Sequence, residues 1–231
     1  MYIFKDRREA GEKLALKLAE YSNRQDVIIL ALPRGGVPVA YEVAKALDVP
    51  LDVFIVRKLG APFHKELAMG AISSGGTIIL NDDVIESLNI DEETIQDVMN
   101  REIIELDRRN HEYRKGKIFP SLTGKTVILI DDGIATGATA SVAILALRKL
   151  HPGKIILATP VGPLSRCNQL QKQADQVICL TMPDPFYAVG QAYENFSQTT
   201  DEEVLQLLKY GELHKDINYG KREIDKSPTS D

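Results

Sequence analysis

Residues 127–139 read Val-Ile-Leu-Ile-Asp-Asp-Gly-Ile-Ala-Thr-Gly-Ala-Thr, and few folds accommodate that order. The aliphatic run Val127 to Ile130 asks for a strand buried on both faces. Two adjacent carboxylates, Asp131 and Asp132, end the run, and a loop of small residues follows. From Ala140 to Leu150, Val142, Leu145 and Ala146 recur at helical spacing. The start of a helix placed after such a loop offers unpaired backbone N–H groups and roughly half a positive charge from the macrodipole, so it suits an anion. The hydroxyls of Thr136 and Thr139 add donors without adding charge.

The acidic pair has a different use. Carboxylates accept hydrogen bonds, so they suit sugar hydroxyls or a metal ion. A ligand that satisfies both halves of the stretch carries vicinal hydroxyls a few ångströms from a phosphate, which describes a ribose 5-phosphate. Other phosphate motifs are excluded. The chain has no Gly-x-x-x-x-Gly-Lys-[Ser/Thr] run and no Gly-x-Gly-x-x-Gly after a strand.

The rest of the chain repeats the alternation of strand and helix. Residues 7–21 are predicted to form an amphipathic helix with Ala10, Leu14, Leu18 and Tyr21 on one face. Val27 to Leu32 is a continuous apolar strand leading into Pro33-Arg34-Gly35-Gly36, and Val37 to Leu47 reads as a helix. This second strand–loop–helix unit, with Arg34 beside its glycines, can hold a second anion or can simply be a tight turn. Asp52 to Val56 is a further strand, ending at the basic pair Arg57-Lys58. Leu59 to Glu66 is turn-rich and is expected to be a mobile loop. Met69–Ile72 and Thr77–Leu80 flank Ser-Ser-Gly-Gly and read as a hairpin. Asp91 is placed to cap a long helix with apolar Ile95, Val98, Met99, Leu106 and Tyr113 and a heavily charged outer face. Ile155–Thr159, Leu164–Ala174 and Val177–Leu180 give strand, helix, strand, and Thr200 or Asp201 caps a last helix through Lys209. Uninterrupted apolar strands alternating with helices indicate an α/β fold: a central, mostly parallel sheet covered by helices on both faces.

Val127–Thr139 resembles the phosphoribosyl pyrophosphate (PRPP) motif of type I phosphoribosyltransferases: an apolar strand, two acids, two variable residues, then a small-Thr-Gly-small-Thr loop. Within that resemblance Ala31–Gly36 corresponds to the pyrophosphate loop. The hairpin region corresponds to a flexible loop that closes over the site and keeps a reactive ribosyl cation from water. The sequence is most similar to short members of the family with this Pro-Arg-Gly-Gly and Arg-Lys pattern and no assigned substrate. The resemblance covers residues 10–180 and implies an antiparallel flexible-loop hairpin and a small C-terminal hood. It also implies displacement of pyrophosphate from C1 of PRPP by a nitrogenous, nucleobase-like acceptor. Asp131 and Asp132 would then hold the ribose hydroxyls and favour the developing cation. Gly133, Ala135, Thr136, Gly137, Ala138 and Thr139 would bind the 5-phosphate. Arg34, Gly35 and Gly36, with Lys58 and Arg57, would bind the departing pyrophosphate. The implied cofactor is Mg2+, held by Asp131 and Asp132 only weakly, through substrate or water. A homodimer is also implied.

Bulk properties fit. At 231 residues the chain suits one domain (1–212, with the core at 10–180 and the hood at 181–212) followed by a tail at 213–231 expected to be disordered. A net charge of -5 does not favour nucleic acid as a partner. No segment is long and apolar enough for a membrane span, the N-terminal residues lack the apolar run of a signal peptide, and Cys167 and Cys179 make no metal or disulfide pattern. A cytoplasmic setting follows as the simplest expectation. Phe186, Tyr187, Tyr193 and Phe196 either stack on an acceptor base or fill the space between hood and sheet. Two other functions stay open at this point. One is a non-catalytic PRPP-binding regulator on the same fold. The other is a phosphate-ester hydrolase with metal on the Asp pair, for which the chain supplies no further ligands or nucleophile.

Overall fold

A computed structural model describes residues 2–62 and 64–209, with the backbone alone for 64–66. Asp6 starts helix α1 (Arg7–Lys17) by accepting from the Glu9 amide at 2.9 Å. The helix expected to reach residue 21 stops at Lys17 and tightens into a 3-10 turn, Ala19–Tyr21; the predicted inner face, Ala10, Leu14, Leu18 and Tyr21, is nonetheless buried. Strand β1 (Val27–Ala31) and helix α2 (Gly36–Leu47) follow, and then β2 (Leu51–Val53). The strand expected at Asp52–Val56 is therefore split. The chain leaves the first sheet at Val53 and enters a second at Val56.

That second sheet contains β3 (Val56–Ala61), β4 (His64–Ser73) and β5 (Thr77–Leu80), all antiparallel. The Ser73↔Thr77 register confirms the predicted hairpin. The Leu59–Glu66 segment, expected as a loop, is mostly paired strand. Gly60 and Pro62 give it the look of a turn, but Gly60 falls at a register shift inside the ladder. Helices α3 (Asp82–Ser87) and α4 (Glu92–Arg114) come next, the latter capped by Asp91, which accepts from the Thr94 amide at 2.7 Å. Then follow β6 (Thr126–Ile130), α5 (Ala138–Lys149), β7 (Lys154–Val161), α6 (Leu164–Leu170) and β8 (Gln176–Thr181). A last helix, α7 (201–209), is capped by the Thr200 hydroxyl, as predicted. Helix α6 is shorter than the predicted 164–174. The tail expected at 213–231 lies outside the described residues.

The main sheet is entirely parallel, in the order β2-β1-β6-β7-β8. Alternation along its strands divides two cores. Ile29, Ile128 and Ile130 pack with α1 and α2, whereas Ile28, Leu30, Val127 and Leu129 pack with α5 and α6. Helices thus cover both faces, which is why β1 and β6 carry no polar residue on their inner positions beyond the edge residue Thr126. Strand order reverses between β1 and β6, and Ala31 pairs with Ile130 at their carboxyl ends. The loops after these two strands consequently open into one crevice, the place where parallel sheets take ligands. No helix among the described residues is long and apolar enough to cross a membrane.

Candidate active site

The loops after β1 and β6 lie against one another at the atomic level. Leu32 donates its amide to the Ile130 carbonyl at 2.8 Å. A β-carbon placed on Gly35 would fall 2.0 Å from Asp132 Oδ2, and one on Gly36 would fall 2.7 Å from the Ile130 carbonyl oxygen. Neither glycine has a positive φ, so both are needed for space, not for backbone freedom. The Pro33–Arg34 peptide bond is cis. Arg34 leans to Asp201 at the start of α7, 3.6 Å away, and Asp201 also accepts from the Tyr113 hydroxyl of α4.

The loop after β6 is open where an anion would enter. Ala135, Thr136, Ala138 and Thr139 lie at least partly exposed, while Gly133 and Ile134 are buried. Gly137 adopts φ +79° immediately before α5, a conformation that only glycine enters without strain. No side chain on Gly137 can cap the helix, so the first N–H groups of α5 remain directed outward, apart from the Ala138 amide, which reaches Thr136 Oγ1 at 3.3 Å. Gly137→Ala is expected to lower folding stability by about 1–2 kcal/mol through the left-handed φ, read as a shift in denaturant midpoint. An unchanged midpoint would show that this backbone is not required. Gly133 serves differently: an added β-carbon would meet Val189 at 2.3 Å and Val161 at 2.9 Å, so the segment after β8 sits directly on this loop.

Asp131 and Asp132 stand half-buried at the strand end. The Asp132 amide donates to Asp131 Oδ1 at 2.9 Å. Burial and the adjacent Asp132 carboxylate push Asp131 well above the usual carboxylate range. Asp132 has a partner that sequence reasoning missed. Arg7 Nε donates to its Oδ2 at 2.8 Å, with both side chains only 12% and 14% exposed. The Tyr193 hydroxyl donates to the Asp132 backbone carbonyl at 2.5 Å. Burial and the charge on Asp132 raise the Tyr193 phenol, so it stays a donor. Among the described residues no group of three or more His, Cys, Asp or Glu side chains is arranged to hold a metal ion.

Arg57 and Lys58 diverge. Strand alternation sends them to opposite faces of the small sheet. Arg57 is tied to Glu102 of α4, with Nε at 2.7 Å, on the face packed against that helix. Lys58 is exposed on the face it shares with Val56, which packs toward α5. The structure therefore brings Gly35, Gly36 and the 131–139 loop together, leaves Lys58 exposed on the opposite face of the small sheet from Arg57, and ties Arg57 to Glu102. Of the aromatic candidates, Tyr193 is buried core, stacked on Phe196 at 5.0 Å and tilted against Phe4 at 5.6 Å. Tyr187 is exposed.

A parallel sheet with helices on both faces carries two glycine loops at its switch point, with an acidic pair between them. The chain belongs to the phosphoribosyl transferase domain family, whose model matches residues 4–89 and 91–196. It is 47% identical over 217 residues to proteins of Mycobacterium tuberculosis strains CDC 1551 and H37Rv that are provisionally named phosphoribosyl transferases. The match covers 94% of this chain, which spans about half (48%) of the length of those relatives. A crystal structure of a Thermus thermophilus protein is 37% identical, covers 89% of this chain and 97% of its own, and superposes with a TM-score of 0.80.

Proposed function

We propose that the chain transfers the phosphoribosyl group of PRPP to a nitrogenous, nucleobase-like acceptor and releases pyrophosphate. The observation that carries this reading is the packing of Gly35 on Asp132, which joins the two anion loops into one crevice with the acidic pair at their junction. A molecule with a phosphate at one end, a pyrophosphate at the other and a diol between them matches that sequence of groups.

The residues divide the work. The outward N–H groups at Gly137 to Thr139, with Thr136 and Thr139, hold the 5-phosphate. Asp131 and Asp132 accept the ribose hydroxyls. Arg34, the amides of Gly35 and Gly36, and Lys58 hold the pyrophosphate. Arg57 would first have to release Glu102 to join them. The acceptor nitrogen supplies the electron pair for the new C1–N bond, and the C1–O bond breaks with its pair leaving on pyrophosphate. The cationic ribosyl transition state lies beside the two carboxylates, so charge and position are the main contributions of the protein. The donor set fits magnesium only as a passenger on the substrate, because two carboxylates, one already bonded to Arg7, leave most of the shell to phosphate oxygens and water. When bound, the ion would neutralise pyrophosphate charge. The β3–β4 hairpin is suited to shield the crevice. The domain bounds (1–212), the dimer and the cytoplasmic setting belong to the same proposal.

The test is a mass-spectrometric screen with PRPP, magnesium and a mixed panel of purine bases, pyrimidine bases and small amines. A ribosyl phosphate product is the expected result, and it names the acceptor. PRPP binding without any product across the panel would favour a regulator that uses the same crevice.

A further inference from the structure

The segment before α1 is sewn to the segment after β8. Phe4 donates to the Ala192 carbonyl and accepts from the Glu194 amide, both at 2.8 Å, and the Lys5 carbonyl accepts from the Asn195 amide at 2.9 Å. Phe4, Tyr193 and Ala192 form a small separate core with Val161. Asp6 then caps α1 and fixes Arg7 at its first helical position. From there the guanidinium makes three contacts. Nε reaches Asp132, Nη1 donates to the Ser197 carbonyl at 2.7 Å, and Cζ lies 4.0 Å from the Phe196 ring centroid.

This one side chain thereby joins α1, the 192–197 segment and the acidic pair. The geometry is that of a clamp. Two donors in one rigid plane are used on two different segments, and an aromatic face holds the plane in place. Asp132 Oδ2 is also the oxygen that Gly35 abuts, so Arg7 and the Gly35 backbone confine this carboxylate from two sides.

We infer that Arg7 is a positioning residue: it fixes the Asp132 carboxylate for the ribose hydroxyls and couples that carboxylate to the hood. The inference rests on the PRPP reading above. Its physical basis is twofold. A carboxylate free to rotate meets a diol in the right orientation only part of the time, and holding it removes that entropic cost. A carboxylate beside a polyanionic ligand also repels its phosphates, and the guanidinium in contact with Asp132 offsets that oxygen's charge. Arg7 acts through Asp132, so its effect is confined to ligands that contain the ribose.

The experiment measures binding of PRPP with magnesium, ribose 5-phosphate, and inorganic pyrophosphate by calorimetry to the wild-type chain and to Arg7→Ala. The expected result is that Arg7→Ala weakens PRPP and ribose 5-phosphate by about 10- to 100-fold, the worth of a charge-assisted hydrogen bond, and leaves pyrophosphate unchanged. Arg7→Lys restores a cation and is expected to bind PRPP severalfold more tightly than the alanine variant. Arg7→Gln keeps the stem under Phe196 and gives the same comparison if the alanine variant does not fold. Equal binding of all three ligands by wild type and variant overturns the inference alone. So does a parallel loss of all three, which marks a merely structural residue, or a lysine variant no tighter than alanine. A wild-type chain that binds neither PRPP nor ribose 5-phosphate overturns the functional reading, and the inference falls with it.

Discussion

Gly35→Ala is expected to leave a folded protein whose affinity for PRPP is lower by about a hundredfold. The backbone at residue 35 has φ -58° and ψ -33°, which alanine adopts without strain. The whole effect therefore comes from the methyl group. It would arrive 2.0 Å from Asp132 Oδ2 and 2.6 Å from its Cγ, distances no packing tolerates. The carboxylate can retreat only by giving up Arg7, or the loop at 34–36 can retreat by opening away from the strand end. Either movement separates the group that would hold the ribose from the amides that would hold pyrophosphate. Overpacking of this kind costs about 1–3 kcal/mol of stability, which a thermal melt registers without loss of the fold. Calorimetric titration with PRPP is the decisive measurement. Affinity equal to wild type would show that the junction of the two loops is not where the ligand lies. Gly36 is not an equivalent target, because the Ile130 backbone itself stands in its way at 2.7 Å.

That junction is half legible in the sequence. Each strand–loop–helix unit announces itself locally: an apolar run such as Val127–Ile130, then a loop with glycines, then helical periodicity. Strands covered on both faces carry no alternation to misread, so the parallel sheet and the sharing of one crevice follow from pattern alone. The contacts that tie the site together do not. Arg7 and Asp132 are 125 residues apart, and an arginine beside Arg8 in a charged first turn looks like any solvated basic pair. Only the cap at Asp6 and the bonds of Phe4 and Lys5 to residues 192–195 aim it inward, and backbone pairing between two chain-distant segments has no side-chain signature. The small sheet misleads for a related reason. Gly60 and Pro62 are turn residues by propensity, yet cross-strand pairing and packing between α4 and α5 extend the ladder through Gly60 to Ala61, so tertiary context overrides the local preference. The same ladder separates Arg57 from Lys58, neighbours that a linear reading treats as one basic patch.

Asp131→Asn combined with Asp132→Asn is expected to remove PRPP-dependent turnover, with a loss of about a thousandfold or more, while the chain still folds. Stability and chemistry respond differently to this change. Asp131 lies well above the ordinary carboxylate range because burial and Asp132 disfavour its charge. A carboxyl whose folded pKa is raised favours folding below the unfolded pKa, and that contribution fades as pH rises toward the folded value. An ionised Asp131 beside the Asp132 carboxylate is therefore a liability to the fold, and an uncharged amide at 131 relieves it. At 132 the amide oxygen can still accept from Arg7, so the cation keeps a partner, though a weaker one than at 2.8 Å to a carboxylate. These two changes oppose each other, and a melt close to that of wild type is the expected result. Chemistry has no such compensation. Each amide keeps one acceptor oxygen in place of two and turns donors toward hydroxyls that need acceptors. The negative charge facing a ribosyl cation is gone, and that charge acts on the transition state more than on bound PRPP. The variant should therefore lose far more in kcat than in PRPP affinity. Turnover retained at the wild-type rate, measured on the acceptor found by the screen, would remove the acidic pair from the mechanism. A fall confined to affinity would make the pair a sugar-binding device and leave stabilisation of the cation to other groups in the crevice.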